Sequence, residues 1–197
     1  MLHHRAFGRH LDTLAIAVID NRQPILSLMR AMLAAIGAGR IDTYARPIEA
    51  LDAMGNAVPD IVIASACMQP VSGSALVRRM RRASSGPLSL APAMIMSVRA
   101  KPDMVEEALR AGAHQVLVLP TTASTLYRRL DWLINDDRPF ELKDEHYVLA
   151  GMEERLSLSF QRPVYVGAES TLSQLSEPDD DAEPARDFAK SVRVAPN

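Results

Sequence analysis

Between Leu14 and Ile134, short apolar runs alternate with runs of helical spacing, and that alternation decides what the chain can become. LAIAVI (14–19), IDTY (41–44), DIVIAS (60–65), PAMIMSV (92–98) and QVLVLP (115–120) read as strands. PILSLMRAMLAAIG (24–37) has apolar residues at 25, 28, 29, 32, 33 and 36, and reads as a helix opened by Pro24 and stopped by Gly37. PIEALDAMGN (47–56), SALVRRMRRA (74–83), PDMVEEALRAGA (102–113) and STLYRRLDWLI (124–134) read as further helices. Strict alternation implies right-handed crossovers and a parallel sheet covered on both faces. Near-continuous apolar strands fit that double burial. The class is therefore α/β. In such sheets the functional crevice lies beyond the carboxyl ends of the strands. The residues that fall there are Asp20 and Asn21, Ser65, Ser97 and Val98, and Leu119 and Pro120.

Composition narrows the functional classes. The 197 residues are 48% hydrophobic and 23% charged, which suits a globular domain. A formal net charge of -2 provides no whole-chain attraction for nucleic acid or an anionic membrane. Cys67 is the single cysteine, so an internal disulfide is excluded and a reducing cytosol is expected. No apolar run approaches the roughly 20 residues of a membrane span. Residues 1–13, with His3, His4 and His10, read as a flexible leader whose histidines lack a third well-placed metal ligand. Residues 135–167 read as an extension able to form a small hairpin or to dock on the domain. Residues 168–197 are rich in Ser, Asp and Pro and read as a disordered tail.

Several chemical readings can be weighed from the residues. Ser65 and Ser97 come with no GxSxG elbow and no positioned His–Asp pair, so a serine hydrolase is not expected. Cys67 reads as a small, partly buried loop residue. Arg78, Arg79, Arg81 and Arg82 read as the solvated face of a helix that turns Leu76, Val77 and Met80 inward. RRAS (81–84) resembles a basophilic kinase site, a match short enough to arise by chance.

AVIDNRQPILSLMRAMLAAIG, PDIVIASACMQPVSG, AMIMSV and ALRAGAHQVLVLP, in this order, carry a family likeness. The chain resembles the receiver domain of two-component response regulators, the CheY-like superfamily, over residues 14–134. The resemblance implies a flavodoxin-like five-stranded sheet of order 2-1-3-4-5 and a place in bacterial phosphorelay signal transduction in the cytoplasm. In that family the first strand ends in acidic residues that hold Mg²⁺; Asp20 and Asn21 stand there. The third strand ends in the aspartate that accepts phosphate, eight residues before a glycine; counting back from Gly73 lands on Ser65. The fourth ends in Thr or Ser, matched by Ser97. The fifth ends in Lys-Pro; Leu119-Pro120 keeps the proline and not the lysine. The aromatic switch position holds Val116.

These departures imply a degenerate receiver, or pseudo-receiver. An aspartate is ionised at neutral pH and attacks phosphorus directly, whereas a serine hydroxyl needs an adjacent base. Asp20, as the sole retained carboxylate, makes Mg²⁺ binding doubtful. A lysine beside so little charge would be poorly paired, and a leucine can pack instead. The expected protein is a non-enzymatic signalling module without cofactor. It acts by protein–protein interaction with a histidine kinase or another response-regulator protein, with no nucleic acid or membrane partner. Its expected interaction face includes Tyr127, Arg128, Asp131 and Trp132, with Leu126 as a further anchor. The alternatives are an unconventional phosphorelay receiver that still accepts a phosphoryl group, or a small-ligand site at the strand ends. A dimer is possible, and the oligomeric state stays open.

Overall fold

A computed structural model describes residues 2–152. Its centre is a five-stranded parallel sheet built from β1 (Ala15–Ile19), β2 (Arg40–Tyr44), β3 (Ile61–Ser65), β4 (Ala93–Ser97) and β5 (Gln115–Val118). The strand order is β2-β1-β3-β4-β5, the flavodoxin-like order the sequence implied. The intervening helices are α1 (Gln23–Ala35), α2 (Pro47–Asn56), α3 (Gly73–Met80), α4 (Pro102–Arg110) and α5 (Ala123–Ile134).

Side-chain alternation along the strands divides the core in two. Ile16 and Val18 of β1, Ile61 and Ile63 of β3, and Met94 and Met96 of β4 face α1 and α5, where Leu26, Met29, Leu33, Leu126, Leu130 and Leu133 meet them. Ala17, Ile19, Val62, Ala64 and Ile95 face the other way, onto Met54, Leu76, Val77, Met80 and Ala108 of α2, α3 and α4. Each fully buried Leu, Ile or Met contributes about 1.5–3 kcal/mol of transfer free energy, so both faces are needed to hold the sheet. Local signals set the helix starts. Pro24, Pro47 and Pro102 occupy first-turn positions, while Ser72 and Thr122 cap α3 and α5 by accepting from the backbone N–H of Ala75 and Thr125.

Several expectations need correction. Residues 2–13 do not hang free: His4 and Ala6 are buried, Arg9 donates to Asp60 at 2.6 Å, and Leu11–Thr13 form a 3₁₀ turn. Arg81 does not join Arg78, Arg79 and Arg82 on the solvated face. It is buried beyond the end of α3, where its guanidinium donates to the carbonyls of Gly112, Ser89 and Ala91 and lies over the Phe140 ring. Burial lowers its pKa to about 9. A burial of Arg81 this deep also removes the basophilic reading of RRAS. Leu126 packs in the core and is no surface anchor.

Beyond α5, residues 140–149 form an antiparallel hairpin of β6 (Phe140–Lys143) and β7 (His146–Leu149). Phe140, Leu149 and Met152 pack with Leu90 and Leu109, and Tyr147 N–H donates to the Arg81 carbonyl at 2.7 Å. Residues 153–167 of the expected extension, and the expected tail at 168–197, lie outside the described residues. Among the described residues no helix is long and apolar enough to cross a membrane.

Candidate functional site

The parallel register brings the carboxyl ends of four strands to one rim. Ile19 pairs with Ala64, Ser65 with Met96, and Ser97 with Val118. Asp20, Ser65, Ser97 and Leu119 therefore end on the same edge of the sheet, in the order the sequence predicted. What each side chain does there is less uniform.

Asp20 is buried and fully engaged by Arg22. Oδ1 accepts from the backbone N–H of Arg22 at 2.8 Å and from its Nε at 2.9 Å. Oδ2 accepts from Nη2 at 2.7 Å, and the same Nη2 stands 3.4 Å from Ser65 Oγ. The planar guanidinium thus forks onto the carboxylate and touches the hydroxyl. Arg22 is placed there by the chain itself. It keeps an extended backbone as the residue before α1, so its side chain turns back over the end of β1. Burial alone would push the Asp20 carboxyl up; the hydrogen bonds from Arg22, together with the Ser65 hydroxyl and the guanidinium charge, bring it below its ordinary value. The Asp20–Arg22 pair is formally neutral.

The other matched positions are turned away from Asp20. The Asn21 amide donates to the Ala45 carbonyl at 2.7 Å, and its oxygen accepts from the Gln69 N–H at 2.8 Å. Ser97 Oγ donates to the Arg99 carbonyl at 2.9 Å and accepts from the Arg99 N–H. Leu119 packs in the core on the α1 and α5 side, with Pro120 following through a cis peptide bond. Val116 is half-buried on the opposite face. Cys67 is exposed.

The glycine that anchored the count to Ser65 has a steric reason. A Cβ on Gly73 would stand 2.4 Å from the Ser65 carbonyl oxygen and 3.0 Å from Ile95 Cδ1. Helix α3 therefore starts against the end of β3, and only glycine allows that approach.

The donor set does not fit a magnesium ion. Such an ion wants several oxygen ligands with carboxylates among them. Here Asp20 is saturated by Arg22, Asn21 is tied to its own loops, and no group of three or more His, Cys, Asp or Glu suited to a metal occurs among the described residues. Nor, among the described residues, does a base stand ready for the Ser65 hydroxyl. Asp20 is already bonded, and His114 precedes β5 at the opposite rim of the sheet.

The other predicted residues lie on α5. Tyr127 and Trp132 are exposed at 46% and 44%, while Leu130 and Leu133 pack inward. Arg138 stacks on Trp132, its guanidinium carbon 5.4 Å from the ring centroid, and pairs with Asp136. Arg128, Asp131, Trp132, Asn135, Asp137 and Arg138 line an open trough of about 580 Å³. Arg22 is the site residue that sequence reasoning missed. Its signal was present in the stretch Asp20-Asn21-Arg22, where a cation follows the retained carboxylate at a spacing that permits a bidentate turn.

Comparison with known proteins agrees with this architecture. Among solved structures, the chemotaxis protein CheY4 of Vibrio cholerae superposes with a TM-score of 0.57 at 23% identity, over 61% of this chain and 99% of that one. The receiver domain of a sensor histidine kinase from Pseudomonas aeruginosa, solved with a magnesium ion in its active site cleft, gives a TM-score of 0.57 at 20% identity, over 62% and 98%. A response regulator from Chloroflexus aurantiacus gives 0.57 at 20% identity, over 61% and 97%. These likenesses establish the fold. The profile of the response regulator receiver domain matches residues 16–131, more than half of the chain. The sheet order, the rim of strand ends and that match place this chain in the response regulator receiver domain family of two-component signalling proteins.

Proposed function

We propose that this chain is a phosphorylation-independent receiver, a signalling module that works by binding and accepts no phosphoryl group. The observation that carries the reading is Arg22. Its guanidinium holds both oxygens of Asp20 and reaches Ser65, at 2.9, 2.7 and 3.4 Å. A cation tethered by the chain satisfies the one carboxylate that a metal would need. The acceptor position carries a hydroxyl with no free base among the described residues, and the lysine position carries a buried leucine. Loss of nucleophile, metal ligand and lysine together is coherent: each group has meaning only with the others.

Receiver domains of two-component systems interact with histidine kinases and with other response regulators. The partner proposed here belongs to those classes, and the binding face is the exposed side of α5 around Tyr127, Arg128, Asp131 and Trp132. Two exposed aromatics five residues apart, flanked by both charge signs, have the composition of an interface anchor. The test is binding of the full chain to the cytoplasmic portions of histidine kinases and to receiver-bearing proteins from the same cell. Tyr127→Ala with Trp132→Ala should abolish binding, and Ser65→Ala should leave it intact. The reverse pattern contradicts the proposal.

A further inference from the structure

A second cluster of titratable groups lies at the opposite end of the molecule, away from the strand-end rim. His4 and His114 are buried and meet edge to face, ring centroids 5.6 Å apart. His4 comes from the amino-terminal segment and His114 from the start of β5. Phe140 of the hairpin stands edge-on to His114 at 5.6 Å. The guanidinium of Arg81 lies on the far side of Phe140, 4.7 Å from its centroid. Three separate pieces of chain thus meet around two imidazoles.

The hydrogen bonds fix the state of both rings. His114 Nδ1 accepts from the Ala93 N–H at 3.3 Å, so it carries no proton, and Nε2 has no partner among the described residues. His4 Nε2 faces the Asp136 carbonyl at 3.0 Å and must donate, which leaves Nδ1 bare and unpartnered. With one proton each, both rings are Nε2–H tautomers. Protonating His114 would set a new N–H against that of Ala93. It would also place a second cation near Arg81 and Arg138, neither of which has a spare carboxylate. Arg81 is bonded to carbonyls alone, and Arg138 is paired with Asp136. Among the described residues, the charged and titratable groups around the pair are therefore His3, Arg81, Arg138 and Asp136, of which Asp136 is the single anion.

We propose that His4 and His114 form an acid-operated latch, which holds residues 2–8 and the 140–149 hairpin on the domain while both rings are neutral and releases them when the rings take protons. Burial, with the Arg81, His4 and Arg138 charges, lowers His114 well below its ordinary value. Burial likewise lowers His4, although Asp136 works against it. The sign follows. A histidine whose folded value is depressed gives its full stabilisation above the ordinary value of 6.5, and loses it as pH falls below 6.5. Each histidine can weaken docking by up to about tenfold per pH unit between its ordinary and its folded value. Asp60 pairs with Arg9 at 2.6 Å and more loosely with Arg5 at 3.7 Å, so residues from Arg9 onward stay in place while the weaker Arg5 contact gives way with the latch.

Amide hydrogen exchange on the full chain reads the latch directly. The Arg5 N–H bonds to Leu90, the Phe140 N–H to Leu2 and the Tyr147 N–H to Arg81, and each bond breaks on release. The Val62 N–H, bonded to Pro92 inside the sheet, is the internal control. After correction for intrinsic rates, protection of Arg5, Phe140 and Tyr147 should fall at least about tenfold from pH 7 to 5 while Val62 holds. A His4→Gln, His114→Asn double variant keeps the donor and the acceptor and cannot be protonated, so it should lose the drop. An equal fall at Val62, or an unchanged fall in the double variant, overturns the proposal. Should the variant not fold, the wild-type His114 ring can be titrated by NMR. A ring that stays neutral to pH 5 wherever Tyr147 remains protected supports the latch. One that titrates near 6.5 under the same protection overturns it.

Discussion

Replacing Arg22 with alanine should destabilise the protein through Asp20, in a way that depends on pH. The substitution removes two side-chain hydrogen bonds, at 2.9 and 2.7 Å, from a buried carboxylate and leaves the backbone N–H bond at 2.8 Å. Charge-assisted hydrogen bonds are worth about 1.5–3 kcal/mol each when shielded. The Arg22 side chain is 46% exposed, so screening reduces the pair to about 2 kcal/mol together. In the wild type, the Asp20 carboxyl lies below its ordinary value because Arg22 outweighs burial. Its contribution is present above the ordinary carboxylate range and is lost as pH falls through the folded value. In the variant, burial acts without that offset and the carboxyl rises. Urea denaturation at a series of pH values should therefore show a gap of about 2 kcal/mol between the two proteins at pH 7. The gap should narrow as pH enters the carboxylate range. A gap below about 0.5 kcal/mol at pH 7, or one that stays constant into acid, would refute the reasoning.

Two other perturbations follow from close contacts. Gly73→Ala should cost about 2–3 kcal/mol, because its Cβ would meet the Ser65 carbonyl at 2.4 Å and backbone cannot swing aside; an unchanged denaturation midpoint would contradict this. Gly112→Ala should cost about 2–4 kcal/mol, since Gly112 has φ +95° and its Cβ would stand 2.8 Å from Arg81 Cγ. In an Arg81→Ala background the clash is gone and only the backbone strain of about 1–2 kcal/mol remains, so a double-mutant cycle should show coupling. Equal cost in both backgrounds would mean that Arg81 is not what confines Gly112.

Much of the fold was legible because each signal was local. Apolar runs, first-turn prolines and helix spacing located β1–β5 and α1–α5 to within a few residues at their ends, and the family likeness supplied the strand order. Ser65 was placed by counting from Gly73, and the contact of Gly73 with the Ser65 carbonyl is why that count holds. Other features depended on contacts that no local pattern reports. Arg81 follows Val77 by four residues, so helical spacing already put it on the inward face; its charge argued for solvent, and the waiting carbonyls of Gly112, Ser89 and Ala91 decided otherwise. Polar character made residues 2–13 look free, yet His4 and Arg9 each find a partner far along the chain, in Asp136 and Asp60. Arg22 was passed over because the family comparison weighed carboxylates and the lysine position, and a cation supplied from the β1–α1 turn lies outside that pattern.

A phosphorylation-independent receiver requires that its strand-end site perform no phosphoryl transfer. Intact-mass analysis of the full chain after incubation with acetyl phosphate, with and without Mg²⁺, tests this most directly on the wild type and Ser65→Ala. The wild type should gain no phosphoryl group in either condition and should match Ser65→Ala. A Mg²⁺-dependent phosphoryl adduct on the wild type that disappears in Ser65→Ala would contradict it.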